Sequence, residues 1–151
     1  MNKGMFSSER DNWETPQSLF DKLDAKYHFT LDAASSDDNA KVAKHYTEET
    51  DGLSKPWEGE RVFCNPPYGR EVGKWVKKCA NEASHSFICL LIPARTDTSY
   101  FHEYIYGNPS ARIEFLRGRL KFELGGAAQG SAPFPSMLVY FGEDALDEDS
   151  R

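Results

Sequence analysis

The chain is poor in the residues that build metal sites and cross-linked scaffolds. It holds only three cysteines, Cys64, Cys79 and Cys89, widely spaced, with no CxxC pair and no Cys/His cluster. An odd, scattered set supports neither a disulfide framework nor a zinc site. All three sit in apolar patterns and are expected to be small core residues. The four histidines, His28, His45, His85 and His102, show no ligand spacing, so no metal is expected. The longest purely apolar run is "FICLLI", far short of the roughly 20 residues that cross a bilayer. No charged-then-apolar segment opens the chain, so a cytoplasmic protein is expected. Internal repeats and low-complexity blocks are also missing.

Positive charge is scarce overall, with 18 Lys and Arg against 24 Asp and Glu, a net of −6. The deficit is concentrated. The final nine residues, "EDALDEDSR", carry five of the acids, whereas "RIEFLRGRLK", Arg112 to Lys121, holds four bases and one acid. Such a patch suits either a solvated strand face or a nucleic-acid contact.

What is present is a folding composition. Hydrophobic residues make up 39% and aromatics 13% of 151 residues, enough for one domain with a real core. A single domain over 1–151 is expected, with a loose arm at 1–10 and an acidic tail at 143–151. "TPQSLFDKLDAKY" reads as a helix, with Thr15 as its cap, Pro16 at its first position and Leu19, Phe20 and Leu23 on one face. "SDDNAKVAKHY" opens with capping residues and reads as a short helix. "VGKWVKKCANEA" is the clearest helix, and "DTSYFHEYIY" reads as another. "FTLDAA", "RVFC", "SFICLLIPA", "ARIEFLRG" and "PSMLVYF" read as strands. This alternation predicts an α/β fold, three-layered, with a mostly parallel sheet. Ligands in such folds bind beyond the carboxyl ends of the strands. "DAAS", "NPPYG" and "PARTD" should therefore line one crevice.

"VFCNPPYG" carries the sharpest signal. Asn65 precedes a proline and is driven to an extended conformation. Pro66 and Pro67 fix φ twice and offer no N–H. The Asn65 side-chain carbonyl and the Pro66 backbone carbonyl can thus form a rigid acceptor pair, with the flat ring of Tyr68 beside them. That constellation suits an exocyclic amino group on a planar base, whose nitrogen gains positive charge as it attacks. A plain Asn-Pro-Pro stop to a strand is the bland alternative.

"NPPY" resembles the catalytic motif of amino-group methyltransferases that use S-adenosylmethionine. Together with "WETPQSLFDKL", "FTLDAAS", "DGLSKPW", "LLIPARTDTSYFH", "IEFLRGRLKF" and "SAPFPSMLVYF", in order across residues 12–141, it resembles the small phage-type DNA adenine-N6 methyltransferases. The resemblance implies a compact, abridged Rossmann-like methyltransferase fold and S-adenosylmethionine as cofactor. Its partner would be double-stranded DNA with the target base flipped out. Asn65, Pro66, Pro67 and Tyr68 would hold the base. Asp32 and Ala33 would meet the cofactor's amino end, Trp13, Thr15 and Pro16 its methionine part, and Asp51 and Leu53 its adenine. Arg95, Arg117, Arg119 and Lys121 would contact DNA. Phe134 could wedge near the base, with core packing the plainer role. One departure stands out: "DAASSDD" has no glycine where many such enzymes carry a glycine-rich loop. Two alternatives remain: another planar amino group as acceptor (cytosine, RNA or a glutamine amide), or an inactive methyltransferase-like module that binds nucleic acid.

Overall fold

The computed structural model describes residues 12–142; the expected arm at 1–10 and tail at 143–151 lie outside the described residues. The first helix, α1 (Gln17–Tyr27), buries Phe20, Leu23 and Tyr27 along one face. It ends at His28, whose φ of 55° lets its N–H reach Asp24 O at 2.9 Å. Its start differs from expectation. Pro16 occupies the cap position, no side chain from that position caps the helix, and the Thr15 hydroxyl is engaged elsewhere. A carboxylate from far along the chain, Glu123 Oε2, accepts the Gln17 N–H at 2.9 Å instead, where an anion also suits the helix dipole.

Among the described residues, seven strands follow the order β1 (Leu31–Asp32), β2 (Arg61–Cys64), β3 (Phe87–Pro93), β4 (Ala111–Phe115), β5 (Glu123–Leu124), β6 (Ala127–Ala128) and β7 (Ser136–Phe141). The central sheet runs β1-β2-β3-β7-β4, and β5 and β6 form a separate hairpin. β1, β2 and β3 pair parallel, while β7 lies antiparallel between β3 and β4. Four of the five strands therefore point the same way, and the sheet is mixed α/β with one reversed strand. All seven residues of β3 and all six of β7 are buried. Each fully buried Leu, Ile or Phe is worth about 1.5–3 kcal/mol, so these two strands anchor a sheet whose outer strand β1 has only two residues.

Strand alternation splits the core between two faces. Phe63 and Phe87 meet α1 and its exit: Phe20 packs edge-on against Phe63 at 5.2 Å between centroids, and Tyr27 stacks on Phe87 at 5.0 Å. The opposite face carries Cys64, approached by Cys79 of α2 (Val72–Glu82), which also buries Val72, Trp75 and Val76. The three cysteines are free and buried, as expected.

Of two further expected helices, one does not form and one is shorter and of another type. Residues 36–46 form no helix. Asp32 N–H bonds to Lys44 O, Tyr46 N–H to Asp32 O and Ser35 N–H to Tyr46 O, each at 3.0 Å. The outer edge of β1 has backbone groups to satisfy, and this segment supplies them, overriding its helical propensity. "DTSYFHEYIY" narrows to a π-type turn, Phe101–Ile105, closed by Tyr106 N–H on Phe101 O at 2.7 Å.

Topology places the loops that matter along one edge. The residues after β1, β2, β3 and β4 all leave from the carboxyl edge of the sheet. The residues before the reversed β7 enter from that same edge.

Candidate active site

A cavity of about 720 Å³ opens at that edge, within the range of small-ligand sites. Most residues expected to meet a cofactor or base line it. Trp13 and Thr15 come from the strap before α1, Asp32 and Ala33 from β1 and its exit, Asp51 and Leu53 from the loop around a short 3-10 turn, and Asn65, Pro66 and Pro67 from the end of β2. Pro16 does not line it; its carbonyl accepts the Leu19 and Phe20 N–H groups, 3.1 Å each, at the start of α1.

The Asn65 side chain has a defined orientation. Its Nδ2 donates to Trp13 O at 2.5 Å and to Thr15 Oγ1 at 2.9 Å. Turning the amide over would press Oδ1 against the Trp13 carbonyl, two acceptors in contact. Oδ1 is thereby directed away from the strap, and it is buried with no hydrogen-bond partner. A buried acceptor left unmade costs about 1–3 kcal/mol. Asn65, a residue of the cavity wall, thus carries one unsatisfied carbonyl oxygen closed to solvent, an acceptor with no donor of its own.

Asp32 is incomplete in another way. It is 2% exposed. Its Oδ1 accepts the Ala34 N–H at 3.3 Å and its Oδ2 the Lys41 N–H at 2.9 Å. Burial still wins, pushing the carboxyl up to about 6, against the lowering by those two N–H groups and by the charges of His45 and Lys41. The positive charges already near it do not offset burial, and a ligand cation would favour the ionised carboxylate further.

The glycine missing after β1 is supplied by another segment. A Cβ on Gly52 would stand 2.2 Å from Ala33 O and 3.2 Å from the Trp75 ring, so only glycine permits this approach. Trp57, fully buried, donates its Nε1–H to Gly52 O at 3.1 Å and pins the turn. Asp51, at φ 58°, precedes it in the left-handed region. The backbone thus passes close to the loop after β1 without a glycine in "DAAS". Together with Asp32, these features fit a ligand that is cationic at one end.

Tyr68 departs from its expected place. It does not line the cavity; it is 5% exposed, and its hydroxyl donates to Leu91 O at 3.1 Å. Phe122 and Phe134 meet its ring nearly edge-on at 6.1 and 5.7 Å. Trp13 packs edge-on against the same two rings at 5.5 and 5.1 Å. Phe134 is buried in this cluster, in the plainer of its two expected roles.

The four basic residues lie on loops of the same sheet edge but outside the cavity lining. Arg95, Arg117, Arg119 and Lys121 are exposed, and Arg119 donates to Ala132 O at 3.3 Å. Among the described residues no cluster suited to a metal ion occurs, and no helix is long and apolar enough to cross a membrane.

Some site residues escaped the sequence reading. Gly52 stood beside Asp51 in an ordinary-looking "DG" turn; only its contact with Ala33 gives it meaning. Trp75 read as one more apolar helix position, yet it lines the cavity. Lys41 lay in a supposed helix, and no local pattern could place its N–H on Asp32.

The sequence profile described as DNA N-6-adenine-methyltransferase (Dam) matches residues 3–144. A DNA N-6-adenine-methyltransferase of Escherichia phage T1 is 37% identical over 97 residues, covering 62% of this chain and 40% of that protein. A protein of the same description from Haemophilus phage HP1 (strain HP1c1) is 26% identical over 144 residues, covering 89% of this chain and 80% of its own length. The chain therefore spans less than half of the T1 relative and most of the HP1 one.

Proposed function

We propose, from the premise that this chain belongs to the DNA N-6-adenine-methyltransferase family, that it methylates the 6-amino group of adenine in double-stranded DNA. The methyl donor in this reading is S-adenosylmethionine, the setting is the cytoplasm of a phage-infected or lysogenic bacterium, and the fold is a three-layer Rossmann-like domain in abridged form. One observation carries the reading: Asn65, which lines the cavity together with the buried Asp32, keeps its Oδ1 without a donor.

When bound, S-adenosylmethionine supplies an electrophilic methyl carbon on a sulfonium. The Asp32 carboxylate meets the cofactor's ammonium, and Gly52 and Ala33 shape the wall beside it. Asp51 and Leu53 lie on the adenine side, and Trp13 on the methionine side. Asn65 Oδ1, with the Pro66 carbonyl as second acceptor, takes the N–H bonds of the target amine. Those acceptors stabilise the nitrogen as positive charge develops on it. Alignment of the amine with the methyl carbon supplies much of the remaining acceleration. No strong base is required: the attacking nitrogen becomes acidic as its bond to the methyl carbon forms and the carbon–sulfur bond breaks, and it releases its proton to water.

The adenine must leave the duplex stack to reach Asn65. Stacking on Tyr68 then requires Phe122 or Phe134 to give up its edge contact. Phe122 directly follows Lys121, so phosphate contacts at Arg117, Arg119 and Lys121 would act on the segment that carries it. The experiment is methyl transfer from labelled cofactor to DNA free of adenine methylation, followed by nucleoside analysis. N6-methyladenine with the native protein and none with Asn65→Ala is expected. Label in cytosine, RNA or protein, or full activity in Asn65→Ala, overturns the assignment.

A further inference from the structure

We infer that Thr15 is a positioning residue for the transfer step: its hydroxyl oxygen, acting with the Trp13 carbonyl, keeps the Asn65 amide turned so that Oδ1 faces the acceptor amine. The inference rests on the methyl-transfer reading above and gives Thr15 a role other than contact with the cofactor's methionine part.

Thr15 is 3% exposed, and its Oγ1 accepts the second Nδ2 hydrogen of Asn65 at 2.9 Å, while Trp13 O accepts the first at 2.5 Å. An asparagine amide can present oxygen or nitrogen to the same space, since the two ends have nearly the same shape. Only the oxygen end can receive an N–H from an amine; the NH2 end would repel it. The two acceptors on the strap decide between them.

The strap is itself held from the far side. Glu14, between the two acceptors, takes the Glu123 N–H on its backbone oxygen at 2.8 Å and the Gly125 N–H on its Oε1 at 3.1 Å. Glu123 also caps α1 through Gln17 N–H, so Thr15 is relieved of the capping task its sequence position suggests. Threonine's branched Cβ restricts χ1, which fixes the hydroxyl more firmly than serine would.

Transfer kinetics on unmethylated genomic DNA test this with Thr15→Val and Thr15→Ser. Removing one acceptor leaves a buried N–H unpaired, and an about tenfold loss of kcat at saturating cofactor is expected for Thr15→Val. The cofactor dissociation constant should stay within about twofold, and Thr15→Ser should recover most of kcat, since the lost group is a single acceptor. Unchanged kcat in Thr15→Val, or an effect confined to cofactor affinity, overturns the inference.

Thermal unfolding of Thr15→Val, Asn65→Ala and the double variant gives a readout independent of turnover. The two destabilisations should overlap rather than add, because Thr15→Val removes one of the two Nδ2 hydrogen bonds that Asn65→Ala also removes. Additive losses overturn the inference. If the native protein transfers no methyl group to DNA, the functional reading fails, and the unfolding cycle still decides whether Thr15 and Asn65 act as a unit.

Discussion

Asp32 and Asn65 stand at the carboxyl ends of neighbouring parallel strands, and the structure leaves each incomplete in a different way. Asp32 has both oxygens hydrogen-bonded and its ionised form is still disfavoured: two backbone N–H groups and the charges of His45 and Lys41 do not offset burial, so its carboxyl rises to about 6. Asn65 is neutral and lacks a single donor, because its NH2 is fully used and its oxygen is not. A cation satisfies the first, and a neutral amine satisfies the second. The residues of one cavity wall therefore carry two unlike demands, one for a cation and one for a neutral N–H donor. Exchanging the two partners would leave the buried carboxylate uncompensated and would place a charge on an acceptor that needs none.

That contrast is open to a double dissociation. Asn65→Ala should lower methyl transfer at least about 100-fold, as for loss of a transition-state acceptor, and leave cofactor affinity measured by calorimetry intact. Asp32→Asn should do the reverse, weakening cofactor binding about tenfold or more through the lost charge pair. If both variants fail in the same assay, the two demands are not separable.

The pH dependence sharpens the same point. An acid raised to about 6 from 3.8 is protonated more readily in the folded protein than in the unfolded one. Its ionisation therefore costs stability progressively as pH climbs from near 4 through 6 in the cofactor-free protein. A bound cation favours the ionised form, so cofactor affinity should rise with pH up to about 6 and level off above it. Asp32→Asn should abolish that slope, and a slope that persists would move the titration to another group.

Smaller effects mark the periphery of each half. The double variant Arg117→Ala, Arg119→Ala should weaken DNA binding roughly tenfold at moderate salt and flatten the salt dependence. Cofactor affinity should not change, and unaltered DNA binding would remove this segment from the interface. Gly52→Ala should cost about 1–3 kcal/mol by overpacking, because its new methyl meets a backbone carbonyl. Gly73→Ala in α2, where the nearest atom is 3.5 Å away, should be neutral or stabilising by about 0.5–1 kcal/mol. Chemical denaturation of both variants gives the comparison directly.

Much of this molecule was legible in one dimension. Periodicity gave α1, α2, β2, β3 and β7 nearly to the residue, because their apolar faces are long and regular. Proline chemistry marked Asn65, Pro66 and Pro67 before any fold was known, since a rigid acceptor pair is a property of four consecutive residues. The neighbours of that motif were not legible. Thr15 looked like a helix cap until Glu123, more than 100 residues later, took the task. Residues 36–46 looked helical until β1 required an edge partner, and Tyr68 was expected to offer its ring beside the acceptor pair until Phe122 and Phe134 closed on it.

The amino-acid sequence by itself determined the local chemistry: which elements form, where two prolines stiffen the chain, and that an amide and a carboxylate end neighbouring strands. Only the tertiary structure decided which atoms of those groups remain unsatisfied. Hydrogen-bond vacancy and charge deficit depend on every group packed nearby, and here those groups arrive from the strap before α1, the loop at Gly52 and the hairpin of β5 and β6. No stretch of sequence contains them together.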